Sequence, residues 1–398
     1  MKEKKIESVV FISNFFNHHQ KPVSDSFFAE FGEGYKFLET EEMTKERKNL
    51  GWGMDVYPSY VISSQQFQSE FNECLEIINS ADVVIVGSAP EYLISARKKK
   101  KKIIFRYSER PLKRGLELWK FIPRLIKWKQ KNLPSKQIYM LCASAYTYAD
   151  YAKFGLFKNR CYKWGYFPAA KKYDNVEGLL KSKKSHSIIW VARFIDWKHP
   201  ETAIEVAKRL KKDGYDFELT IIGTGPLEQS LKNIILDAGL ERLVKMLGSM
   251  TPEQVRMHME QSEIYLFTSD RNEGWGAVLN EAMNSACAVV ASHAIGSVPF
   301  LIKDEDNGLI YQDGNIDDLY LKVKFLFDNQ EKRKKMGLQA YQTIIEEWNA
   351  ENATKKFISL AENLLNEGRT TDLSEDGVCS KANILKDNWY VGALNIVE

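Results

Sequence analysis

No stretch of the 398 residues comes near the roughly 20 apolar residues that a membrane-crossing helix needs, so any membrane contact expected of this chain is peripheral. The amino-terminal "MKEKKIESVVFISNFF" starts basic, but its apolar run is too short for a secretion signal and alternates into polar residues. It reads as a first strand. Cysteine is scarce and scattered. Cys74, Cys142, Cys161, Cys287 and Cys379 show no C-x-x-C spacing and an odd count, which argues against a zinc knuckle or a disulfide framework. A reducing, cytoplasmic home is expected, with the inner face of the membrane as a place of contact. Charge of one sign is not in excess either. The net +3 predicts little, and its distribution matters more than its sum.

A chain of this length exceeds what one hydrophobic core usually organises, so two domains are expected. From Ile188 the pattern is regular. "IIWVA" is a buried-strand run, "ETAIEVAKRL" puts Ala203, Ala207 and Leu210 at helical spacing, and "FELTIIG" is a strand again. A helix follows from Leu227 to Ala238, then a strand near "LVKMLG". Thr251, Pro252 and Gln254 then serve as cap, first-turn proline and capping-box partner. Strands "IYLF", "AVVAS" and "GLIY" complete the series. Alternation of this kind means a parallel sheet wrapped by helices. The first part repeats the theme with strands at "SVVFIS", "DVVIVG", "KIIFRY" and "IYMLCA" and a helix through Phe67, Phe71, Leu75 and Ile78. The expected organisation is an α/β domain over 1–168, a polar linker over 169–187, and a second α/β domain over 188–366 whose last helix can pack back on the first. A polar, loosely ordered tail is expected over 367–398. Ligands of such sheets bind at the carboxyl ends of the strands, which places the expected site in a cleft between facing domains.

The stretch "EGWGAVLNE" sets Glu273 and Glu281 on either side of two glycines and a short apolar run. Gly274 and Gly276 suit a tight turn, and the residues from Ala277 onward read as the first turns of a helix. A helix start offers unpaired N–H groups to an anion. A carboxylate one turn further in can accept paired hydrogen bonds from a diol. Phosphate plus diol suggests a nucleotide sugar.

"VARFIDWKHPETAIEVA", "IIGTGPLEQSL", "KMLGSM" and "EGWGAVLNEAMNSACAVVAS" come in an order and spacing that closely resemble a retaining glycosyltransferase of the GT-B fold, of the large family 4 type. The resemblance covers the second half strongly and the first domain weakly. It implies two Rossmann-like domains. It also implies that Arg193 and Lys198 bind the donor diphosphate, where a guanidinium grips phosphate in two places and an ammonium adds a compact charge. Glu281 would hold the ribose hydroxyls and Glu273 the donor sugar, with backbone N–H groups around Gly274, Trp275 and Gly276 near sugar and phosphate. Trp275 replaces a smaller aromatic and is expected to pack the turn. Gly223 lies in a lone G-x-G after a strand, where phosphate binding and tight packing are even alternatives. Ser249 and Met250 stand where the family holds the base. The implied chemistry retains the anomeric configuration. The leaving phosphate helps to take the acceptor proton, and no protein nucleophile is required.

In the first domain the glycine pair common among relatives is replaced by "SNFFNHHQKPVSDSFF", so His18 and His19 become acceptor-side candidates. Ser108 and Glu109 in "RYSERP" join them. The one D-x-D, Asp304 to Asp306, precedes Asn307-Gly308 and reads as a turn. With cations supplied by side chains, no metal or other cofactor is expected, and the donor is expected to be UDP- or GDP-linked. The run Arg97 to Lys102 and the segment Arg110 to Leu133, with eight basic residues against one acid, concentrate positive charge. Trp119, Ile122, Leu125, Ile126 and Trp128 make the second an amphipathic helix, kinked at Pro123, of the kind an anionic membrane attracts. A helix packed on the sheet is the alternative. The acceptor is then a saccharide or lipid-linked saccharide, as in bacterial surface-polysaccharide assembly. No recognition motif accompanies the charge, so nucleic acid is not expected. A nucleotide-sugar epimerase, a phosphorylase or a non-catalytic membrane-bound partner are the rivals.

Overall fold

The computed structural model describes residues 4–45, 53–54, 56–132, 136–366 and 376–392. The chain folds as two compact units, Met1–Ala169 with Trp348–Leu385, and Ala170–Glu347 with Lys386–Glu398.

The first unit is built on β1 (Val9–Ser13), β2 (Tyr35–Glu39), β3 (Val61–Ile62), β4 (Val83–Val86), β5 (Ile104–Ser108), β6 (Ile138–Cys142) and β7 (Cys161–Lys163). They lie in the order β3-β2-β1-β4-β5-β6-β7, and every pairing is parallel. β1, β4 and β6 are buried at each position. That is the signature of a parallel sheet covered on both faces, and it explains the continuous apolar runs of these strands. Strand order reverses between β1 and β4, so the loops after β1 and its neighbours form the crevice where open α/β sheets bind ligands.

The second unit holds β8 (Lys184–Val191), β9 (Glu218–Ile222), β10 (Val244–Met246), β11 (Ser262–Phe267), β12 (Ala288–Ser292) and β13 (Leu309–Tyr311). The order is β10-β9-β8-β11-β12-β13, again all parallel. Helix Pro200–Lys212 shows why these segments fold as they do. It starts with a proline at its first turn and buries Ala203, Ile204, Val206, Ala207 and Leu210 along one stripe. Helix Pro252–Gln261 has the expected capping box between Thr251 and Gln254. Here strand order reverses between β8 and β11, and both strands end at the motif residues.

Three parts of the expected organisation take definite form. The segment 169–187 is not a bare linker. Asn175 accepts a hydrogen bond from Gly178 N at 2.7 Å and starts helix Val176–Ser182, and Lys171 N donates to Asn284 Oδ1 at 2.8 Å. Helix Ala350–Leu365 belongs to the first unit, where Phe357 meets Phe27, Phe105 and Trp164 at 5.4, 4.8 and 5.8 Å. The tail is ordered over 376–392. Lys163 N donates to Ser380 O at 2.8 Å and Cys379 N to Lys163 O at 2.9 Å. Val378 and Cys379 are buried there, which a count of polar residues in the tail conceals.

Candidate functional site

In the second unit the motif residues converge on the carboxyl edge of one sheet. After β8 the chain turns through Asp196–Lys198, and Lys198 Nζ bonds Glu273 Oε2, with both side chains nearly buried. Ser269 Oγ donates to the same carboxylate oxygen at 3.1 Å. The turn is fastened from beneath. Trp190 Nε1 donates to Thr268 Oγ1 at 2.8 Å, and that hydroxyl donates to Lys198 O at 2.7 Å. A buried ammonium is therefore held in place by the ends of β8 and β11 together. Its charge is compensated, as burial requires. Arg193 differs: it is exposed, and among the described residues its guanidinium has no ion pair.

The turn Gly274–Gly276 is fixed sterically. Gly276 has φ 79°, and a Cβ there would lie 2.3 Å from Phe267 Cζ. Trp275 is fully buried, and its Nε1 donates to Asn280 Oδ1 at 2.9 Å, so its side chain packs the turn. Glu281 sits in the first turn of helix Val278–Asn284. Burial pushes its carboxyl up to about 7, with the Arg256 guanidinium pulling the other way. Tyr265 on β11 was not among the residues expected at this site. Its hydroxyl is buried without a hydrogen-bond partner among the described residues. Burial, then the charges of Glu273 and Glu281, hold its proton firmly. The alternation of "IYLF" could have pointed to it, since Tyr265 and Phe267 share one face.

Gly223 is tightly packed. A Cβ there would fall 1.9 Å from Ala192 O, and its N–H already donates to Gly248 O at 2.8 Å, so that amide is not open to a phosphate. Ser249, exposed, and Met250, half-buried, follow β10 on the same edge. In the D-x-D, Asp304 Oδ1 accepts from Ile310 N at 2.7 Å and Asn307 Oδ1 from Lys303 N at 2.7 Å, which closes the expected turn.

In the first unit the four acceptor-side candidates cluster. The rings of His18 and His19 lie 3.8 Å apart, and His19 stacks over Tyr166 at 6.2 Å. Tyr166 OH donates to Glu109 Oε1 at 2.8 Å, and Ser108 Oγ donates to Glu109 O at 2.7 Å. Tyr107 stands edge-on to Tyr166 at 5.9 Å. Burial, helped by His18, lowers His19 to about 3, so at neutral pH it is an uncharged donor and acceptor. The two tyrosines were not foreseen. Tyr166 lies far along the chain, beyond β7, and only the sheet order brings it here.

The basic run Arg97–Lys102 proves partly structural. Arg97 is fully buried and donates to the carbonyls of Ile78, Ala81, Asp82 and Ile103. Lys102 Nζ donates to Asn79 O. Both close the end of helix Phe71–Ser80. Likewise Arg110 pairs with buried Asp150 at 3.2 Å.

Two parallel-sheet Rossmann-like units with this edge geometry define the GT-B class of fold. The structure is similar to Anabaena Alr3699/HepE in complex with UDP, with TM-score 0.64 and 13% identity over 88% of this chain and 98% of that one. A glycosyltransferase from Rickettsia africae gives TM-score 0.65 and 13% identity over 92% and 100% of the two chains. More particularly, residues 172–343 match the family model described as Glycosyl transferases group 1. Among curated relatives, the amylovoran biosynthesis glycosyltransferase AmsK of Erwinia amylovora is 31% identical over 44% of each chain. The poly(ribitol-phosphate) alpha-N-acetylglucosaminyltransferase of Staphylococcus aureus is 29% identical over 43% of this chain and 34% of its own. The chain thus spans less than half the length of these curated relatives.

Proposed function

We propose that this protein is a retaining glycosyltransferase. It moves a sugar from a UDP- or GDP-linked donor to a saccharide or lipid-linked saccharide in bacterial cell-surface polysaccharide synthesis, and it works in the cytoplasm. The observation that carries the reading is the fixed Lys198–Glu273 contact at the switch point of the second sheet, with exposed Arg193 and half-buried Glu281 on the same edge. Arg193 takes the outer phosphate oxygens and Lys198 the inner ones, stabilising charge as the diphosphate leaves. Glu273, already bonded to the ammonium, orients it and accepts from donor-sugar hydroxyls. Glu281 accepts from the ribose diol. These two cations do the work a divalent metal does elsewhere, so the proposed reaction uses none. In the first unit Glu109, Tyr166 and neutral His19 hold the acceptor. The same-face step needs no protein nucleophile, because the departing phosphate takes the acceptor proton. The names of the relatives support a surface polymer as the destination.

The test is nucleotide release by the purified full chain from UDP-, GDP-, ADP- and CMP-sugars, with and without a bacterial lipid extract. Release from one donor, increased by the extract, is expected, with retained configuration of the product by NMR. Silence across the panel from folded protein would leave a non-catalytic role. Sugar rearrangement without acceptor would make it an epimerase, and phosphate-dependent release a phosphorylase.

A further inference from the structure

We propose that Trp119 and the outward face of helix Phe121–Asn132 form a docking surface for an anionic lipid bilayer. The helix has two apolar faces, and only one is used by the fold. Inward, Phe121 stacks on Phe154 at 4.9 Å, and Trp128 meets Phe154 and Tyr151 at 4.6 and 5.0 Å. Outward, Trp119, Ile122 and Ile126 are 75%, 65% and 53% exposed. Ile122 and Ile126, four residues apart, share one helix face, and Trp119 stands in the 3-10 turn Leu118–Lys120 that leads into it, with Lys120 Nζ 4.4 Å over its ring. Single exposed apolar residues are ordinary, but a bulky row on one helix is an interaction surface. Pro123 lies within the first helical turn, so it begins the helix instead of kinking it and leaves the stripe continuous.

The charge around the stripe selects the occupant. Lys120, Arg124, Lys127, Lys129 and Lys131 accompany it; Glu117 opposes Lys120 and Arg124, and Glu91 pairs with Lys131 at 3.5 Å. Lys127 and Lys129 have no ion pair among the described residues. A second copy seated on this stripe by two-fold symmetry would bring these cations against their own equivalents. An anionic bilayer neutralises them while its acyl boundary takes the indole and the two isoleucines. In the Arg97–Lys102 run, Arg97 and Lys102 are bound to backbone carbonyls and Lys98 pairs with Glu91, which leaves Lys99, Lys100 and Lys101 exposed. The surface deepens the glycosyltransferase reading by giving its acceptor a lipid address. It belongs to the first unit, whereas Lys198 and Glu273 belong to the second, so the two readings fail separately.

The experiment is co-sedimentation of the full chain with vesicles of phosphatidylglycerol and phosphatidylcholine, against phosphatidylcholine alone. Binding to the anionic vesicles only, weakening with salt, is expected. Ile122→Ser with Ile126→Ser should lower partitioning about ten-fold or more. Lys127→Gln with Lys129→Gln should lower it about five-fold per charge removed. Both double variants should keep the parent's Tm and its donor hydrolysis. Equal sedimentation of parent and variants overturns the proposal. So does a concentration-dependent dimer, abolished by the isoleucine variants, from a chain that ignores vesicles. Loss of donor hydrolysis in the parent with vesicle binding intact would instead remove the glycosyltransferase reading alone.

Discussion

At the scale of single residues, Glu281 meets two opposed demands. The proposed ribose-diol contact wants a carboxylate, yet burial raises the Glu281 carboxyl from the ordinary 4.5 to about 7. Because the folded chain binds this proton more tightly than the unfolded one, the group's contribution to stability is greatest below pH ~4.5. It falls as pH rises to about 7, then levels off. Glu281→Gln should therefore flatten the decline in unfolding free energy over that window, as read by urea titrations across pH; an unchanged slope would place the carboxyl near its ordinary value. Binding runs the other way. Affinity for UDP or GDP by calorimetry should rise through about pH 7 in the parent and lose that rise in Glu281→Gln. Lys198 poses a different problem, because its partner is buried with it. Lys198→Ala leaves Glu273 as an uncompensated buried charge and should cost about 3–5 kcal/mol in urea unfolding. Lys198→Met with Glu273→Leu should cost clearly less than the sum of the single changes, since neither charge is then stranded. Additive losses would mean that the two side chains do not depend on each other.

At the scale of elements, the site is made where strands stop. The end of β8 is pressed against the end of β9 so closely that Gly223 has no room for a methyl group, with backbone rather than a flexible side chain in the way. Its φ of 145° adds strain for any other residue. Gly223→Ala should lower Tm by several degrees, about 2 kcal/mol or more, and loosen the Arg193–Lys198 segment that follows β8. An unchanged Tm would mean that this strand seam yields easily. The same element scale explains what could be read in advance. β8, β9, β11 and β12 announce themselves as apolar runs because both faces are covered, and the cap of Pro252–Gln261 follows from Thr251 and Gln254 by local geometry. β2, with Lys36 and Glu39 in five residues, and β3, only Val61–Ile62, carry too little apolar sequence to be recognised. β2 is placed by pairing with β1, and β3 in turn by pairing with β2. Lys198 and Glu273 were legible as motif residues, but their direct bond was not, since it depends on β8 and β11 being neighbours across 75 residues. Tyr166 was hidden for the same reason.

At the scale of the whole molecule, the residues after Asn366 do work in both units, although their composition suggests a passive tail. Residues 376–382 run beside β7, and the antiparallel bridge Tyr162–Lys381 with the two hydrogen bonds of Lys163 covers what is otherwise an open sheet edge. Residues 386–392 belong to the second unit, where Tyr390 OH donates to Ile310 O, Arg271 pairs with Asp387 at 3.3 Å, and His293 Nε2 lies 3.1 Å from Asp387 O. Two shortened chains separate these contributions. A chain ending at Leu385 keeps the strand-edge cover but loses the contacts of Asp387 and Tyr390. It should show lowered stability confined to the second unit, seen as faster amide exchange in β12 and β13 with β6 and β7 unchanged. A chain ending at Asn366 loses both sets. It should add faster exchange in β6 and β7, and it should aggregate more readily through the uncovered edge of β7, a tendency that light scattering reads directly. If the two shortened chains exchange alike over β6 and β7, the buried Val378 and Cys379 contribute nothing there and β7 is held by β6 alone.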